Sequence, residues 1–140
     1  MNLSQVKLIE RIHEFEYQTA PTFKVQIRYL SKGTFKKLRD DNTVTVWKRG
    51  KQTADLNERT FYNEYSKAAI VGWSGLTVGI FKTLVPADVE GESNETVIPY
   101  TQEIAEFLMV NSKDFDVWVT ALQDNLAAFE TEEKAAAEKN

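Results

Sequence analysis

The sequence predicts an α+β domain, predominantly helical, with a small N-terminal β element packed on three to four helices. Apolar and polar residues alternate strictly over Phe23-Lys24-Val25-Gln26-Ile27-Arg28-Tyr29, the period of a strand with one buried face. Phe61, Tyr65, Ala68 and Ala69 fall at helical spacing, and Phe115, Trp118, Val119, Leu122, Leu126 and Phe129 extend that period over the longest stripe in the chain. With 42% hydrophobic and 27% charged residues the chain can build a packed interior. Residues 1–129 are therefore expected to form a single globular domain, and 130–140 an acidic, frayed C-terminal tail without a large apolar side chain to bury.

Taken in order, His13-Glu14-Phe15-Glu16-Tyr17 is a first candidate strand and Phe23–Tyr29 a second, with Thr19-Ala20-Pro21-Thr22 as the loop between them. The segment before them, with Val6, Leu8, Ile9 and Ile12, fits strand or helix equally. Ser31 is placed to cap a basic helix through Arg39, which Asp40-Asp41-Asn42 ends. Thr43-Val44-Thr45-Val46-Trp47 has β-branched character, and Lys48-Arg49-Gly50-Lys51-Gln52 reads as a solvated connector. Asp55 with Glu58 resembles a capping box, so a helix is expected from there to the approach of Gly72. Residues 77–98, with Gly79, Pro86, Gly91 and the polar run Glu90-Gly91-Glu92-Ser93-Asn94-Glu95, read as an extended, mobile connection. Thr101 and Ser112 then cap two closing helices.

Composition narrows function. There is no cysteine, hence no disulfide, no thiolate nucleophile and no thiolate metal site. The one histidine, His13, has no acid–nucleophile pattern beside it, and neither phosphate-cradling glycine motif occurs. A non-enzymatic protein without cofactor or metal is expected. No apolar run is long enough for a bilayer, and the charged N-terminus does not resemble a signal peptide, which predicts a soluble protein of a reducing compartment.

Charge is unevenly divided. Residues 1–70 hold 13 Lys/Arg against 8 Asp/Glu, and residues 71–140 hold 4 against 13, an asymmetry open to attraction within the fold, between copies or across a partner surface. Lys24 to Lys51 holds nine Lys/Arg against two acids, interleaved with Phe23, Tyr29, Phe35 and Trp47. A nucleic-acid surface is nevertheless disfavoured, because the chain as a whole is acidic and no recognition motif is present.

Three stretches read together resemble a family of phage tail assembly chaperones: Phe23–Ser31; Ala68-Ala69-Ile70-Val71-Gly72-Trp73-Ser74-Gly75-Leu76; and Ile98-Pro99-Tyr100-Thr101 followed by Glu106-Phe107-Leu108 and Phe115–Val119. The long stretch Thr77 to Val97 departs from that family's shorter polar turn. The resemblance implies a small protein of the bacterial host cytoplasm that binds the tape measure protein until tail tube protein polymerises around it, often as a homo-oligomer. Many chaperones of that family are extended by a programmed ribosomal frameshift near the end of the short form, and Glu138-Lys139-Asn140 is compatible with an A-rich slippery run. Rival readings are a structural virion component, such as a tail-completion or head–tail joining protein, and behind it a small nucleic-acid-binding module. Gly72, Trp73 and Gly75 form the structural signature, with Trp73 first a core anchor and both glycines supplying turn conformations. Trp73, Leu126 and Phe129 are the candidate partner contacts.

Overall fold

The computed structural model describes residues 1–130. After a single 3-10 turn, Leu3–Gln5, the chain forms strands β1 (Ile12–Tyr17) and β2 (Ala20–Arg28), helix α1 (Lys32–Asp41), strands β3 (Thr43–Lys48) and β4 (Lys51–Leu56), helix α2 (Glu58–Ala69), strand β5 (Ile70–Ser74), and helices α3 (Val78–Leu84), α4 (Gln102–Asn111) and α5 (Lys113–Gln123). Five strands in two antiparallel sheets, ordered β1-β2-β5 and β3-β4, make this a mixed α+β fold. The expectation of a predominantly helical chain with one small N-terminal β element is thereby corrected.

The missed strands have physical reasons. β5 follows α2 without a turn: the helix ends at Ala69 and Ile70 is already extended at φ −105°, ψ 116°. The apolar stripe therefore changes from helical to strand geometry with no Gly or Pro between. β4 begins in what reads as a polar connector and ends where a helix cap was expected at Asp55. Arg49 (φ 52°) and Gly50 (φ 75°) are both left-handed, the requirement of a tight two-residue hairpin turn joining Lys48 to Lys51. The first hairpin is tighter than read as well, since Tyr17 pairs with Ala20 and Pro21 and Thr22 lie within β2.

One contiguous apolar cluster fills the space between the three-stranded sheet and the helices. Phe23, Val25 and Ile27 alternate inward from β2, and Phe15, Tyr17 and Ile70 extend that face across the neighbouring strands. Against it pack Phe61 and Tyr65 from α2, Leu108 and Met109 from α4, and Phe115 and Val119 from α5. Each such side chain contributes roughly 1.5–3 kcal/mol on burial.

Caps are Ser31, Thr101 and Ser112 as predicted, each accepting a hydrogen bond from the backbone N–H three residues on. The start of α2 is capped by Asn57 rather than by Asp55, which belongs to β4 and pairs with Lys48 at 2.6 Å. The closing stripe is not one helix. α5 stops at Gln123, Asp124 and Asn125 break it, and the chain is helical again over 126–130 with the Asn125 side chain capping Ala128 N–H. The expected tail falls almost wholly outside the described residues, as does Glu138-Lys139-Asn140.

Candidate partner-binding surfaces

The Trp73 signature is a clamp. Trp73 stands in β5 opposite Val25, its ring edge-to-face on Tyr100 (4.9 Å between centroids) and on Phe23 (6.0 Å). Its Nε1–H donates to the Ile98 carbonyl at 3.0 Å, and the Tyr100 hydroxyl donates to the Ile70 carbonyl at 3.0 Å. Gly75, at φ +75°, leads the chain out of the strand, and a Cβ there would collide with the backbone carbonyl of Thr22. Gly72 differs from the expectation. It is an ordinary extended strand residue whose Cβ would meet only the end of the Gln26 side chain, 2.8 Å away.

From this clamp hangs the stretch read as an extended connection, and α3 within it corrects the extended part of that reading. Thr77 caps α3, and the returning chain bonds back along it: Ile98 N–H to the Leu76 carbonyl (2.8 Å), Val78 N–H to Thr96 (2.9 Å), and Gly79 N–H to Asn94 (2.9 Å). Four backbone or side-chain bonds thus tie residues 94–98 to the end of β5 and start of α3. The polar run Glu90–Glu95 concealed this, because residues 94–98 are held by backbone groups, while Val78, Leu84 and Val85 earlier in the stretch are buried.

Residues 89–99, α3 and α4 enclose an open groove of about 610 Å³, with Phe81, Val97, Ile104 and Phe107 among its apolar lining and Glu92 and Glu103 at its polar positions. Phe81 and Phe107 stack at 5.9 Å. Val97 is 61% exposed and Phe107 43%, and Val110, one turn further along α4, is also exposed. This is apolar surface that the described residues leave uncovered.

The hairpin β3–β4 is the second uncovered feature. Trp47 is 70% exposed, Val44 is exposed, and the turn carries Lys48, Arg49 and Lys51. Its base is fixed by Asn57 N–H to the Asn42 carbonyl at 2.7 Å, while the buried Asn42 amide donates to Leu38 O and Glu64 Oε2 at 2.7 Å each. Elsewhere the basic region is partly neutralised: Lys36 pairs with Asp40, Lys37 with Asp41, and Arg28 with Glu10.

Polar groups between the helices are mutually satisfied. The Tyr62 hydroxyl donates to Asp116 Oδ2 at 2.7 Å, Thr120 donates to Asp116 Oδ1 at 3.2 Å, and the Tyr65 and Thr120 hydroxyls bond at 2.9 Å. Burial, reinforced by Asp116, pushes the Tyr62 phenol up to about 12, and burial raises the Tyr65 phenol further. Gln123 ties α5 to the end of β2, accepting from Leu30 N–H (2.7 Å) and donating to the Arg28 carbonyl (2.8 Å). Among the described residues no group of three or more His, Asp or Glu is placed to hold a metal, and no helix is long and apolar enough to cross a membrane.

The candidate contacts fall in different places. Trp73 is half-buried behind the groove wall, Leu126 is 40% exposed, and Phe129 is fully buried, its ring packed on Phe15 at 5.0 Å and Tyr29 at 5.4 Å. Trp73 and Phe129 thus serve the interior of the chain. The sequence reading weighed Trp47 only within a basic nucleic-acid patch and passed over Val97 and Phe107 as surface and Gln123 as a structural residue. For Trp47 a signal existed in the Arg49-Gly50 turn beside it; for the others none did.

The family described as YdaY prophage protein matches residues 18–140. No curated protein and no solved structure matches the chain. The family match runs from β2 through α5 and takes in the β3–β4 hairpin and the clamp, so the chain belongs to the YdaY prophage protein family and is a protein of phage origin.

Proposed function

We propose that this prophage protein is a tail assembly chaperone, a non-catalytic factor of the host cytoplasm that binds the tape measure protein and assists assembly of the tail tube around it. The observation carrying this reading is the convergence of the three stretches that resemble that family. Phe23, Trp73 and Tyr100, one from each stretch, stand far apart in the chain yet pack ring against ring, which supports reading the three stretches together. Exposed apolar side chains outside the groove between α3 and α4, Val110 and Val117, support it, since a factor that holds a long helical polypeptide reversibly needs contact area rather than a reaction centre.

The test is co-expression with the tape measure protein of the same prophage. The expected outcome is a higher soluble yield of the long protein and co-purification of the two. Unchanged solubility and no co-purification would refute the chaperone role.

A further inference from the structure

Two surfaces of this chain are open in the single copy and opposite in character. The hairpin tip presents Trp47 with Lys48, Arg49 and Lys51, of which Lys48 is already paired to Asp55. The groove beside α4 presents Val97 and Phe107 with Glu92 and Glu103, and exposed Glu90 and Glu95 lie in the same loop. Neither covers the other within one chain, as the exposures of Trp47 (70%) and Val97 (61%) show. Size agrees too: the groove's 610 Å³ falls within the range of pockets that bury a ligand larger than an indole ring. The hairpin is pre-formed by its turn and its six paired positions, so little order has to be created on docking.

We propose that copies of this chain associate head to tail, the β3–β4 tip of one seating Trp47 in the apolar groove between α3 and α4 of the next, with Arg49 and Lys51 facing its Glu92 and Glu103. The two patches differ, so the contact is heterologous and leaves a free hairpin at one end and a free groove at the other, giving rings or open chains rather than a closed dimer. It uses the charge asymmetry between the halves of the sequence, and it stands whether or not the tail-assembly reading holds. Because the tip is small, the interface is of the weak class below about 1,200 Å².

Sedimentation equilibrium of the full chain up to about 100 μM, the range suited to such an interface, is expected to show growing mass with concentration, reduced at high salt. Trp47→Ala is expected to weaken it about thirtyfold, the loss typical of a central tryptophan. Val97→Asp in the groove is expected to do the same, with thermal midpoints unchanged for both variants. The decisive arm mixes the two: Trp47→Ala keeps a working groove and Val97→Asp a working hairpin, so together they form a dimer and nothing longer. A wild-type chain monomeric throughout, variants that associate like wild type, or a mixture that stays monomeric would each overturn the proposal. Trp47-dependent retention of single-stranded DNA by a monomeric chain would overturn it as well, assigning the hairpin to nucleic acid.

Discussion

Two tryptophans sit on β strands of this chain, and their surroundings separate the part of the molecule that builds from the part that is available. Trp73, between Phe23 and Tyr100, spends its one polar hydrogen on the Ile98 carbonyl. Trp47 lies on a two-stranded hairpin attached to the body at its base and leaves 70% of its surface to solvent. That ring contributes little to the core and is the side chain the head-to-tail proposal assigns to the next copy. The same residue type thus serves the interior in one sheet and the exterior in the other, and the difference lies in what packs behind each strand.

Substitutions should respect that division. Gly75→Ala attacks the clamp's backbone, adding a left-handed conformation unsuited to alanine and a clash with Thr22, and about 3 kcal/mol of stability should be lost in urea unfolding. Gln123→Leu should cost about 2 kcal/mol in the same assay, because the Leu30 N–H and Arg28 carbonyl lose their buried partner. Trp73→Phe keeps an aromatic ring but orphans the Ile98 carbonyl, for about 1 kcal/mol and faster amide exchange at Val78 and Ile98. Trp47→Ala should change stability by less than about 0.5 kcal/mol. A destabilisation as large as that of Gly75→Ala would erase the distinction between the two regions.

Alkaline titration sharpens the same contrast within the helical layer. The Tyr62 phenol is raised from 10.0 to about 12 by burial and Asp116, so the folded state holds this proton more tightly than the unfolded chain. Its contribution is complete below pH 10 and is lost as pH rises toward 12. In Tyr62→Phe, stability measured across that interval should fall less steeply than in wild type; an unchanged slope would remove the phenol–Asp116 bond from the account.

Much of this architecture was legible because its signals are local. The alternation at Phe23–Tyr29 gives β2, and Ser31, Thr101 and Ser112 cap helices where such hydroxyl residues should. What escaped depends on distant partners. Ile70–Ser74 is a strand because β2 offers it an edge, which no residue within the segment announces. Residues 94–98 are tied by backbone bonds to Leu76, Val78 and Gly79, and Val78, Leu84 and Val85 are buried. Phe129 continues a helical stripe on paper but reaches the core across the break at Asp124 and Asn125. The candidate site divides likewise: the clamp's residues were visible as motifs, whereas the groove is created by bringing residues 89–99 against α4.

The most direct test of the chaperone reading is the protein composition of tail precursors and finished particles from an induced prophage, followed by quantitative mass spectrometry. The chain should be found with the tape measure protein in precursors and be absent from finished tails. Its stoichiometric presence in finished tails would make it a structural component and contradict the account.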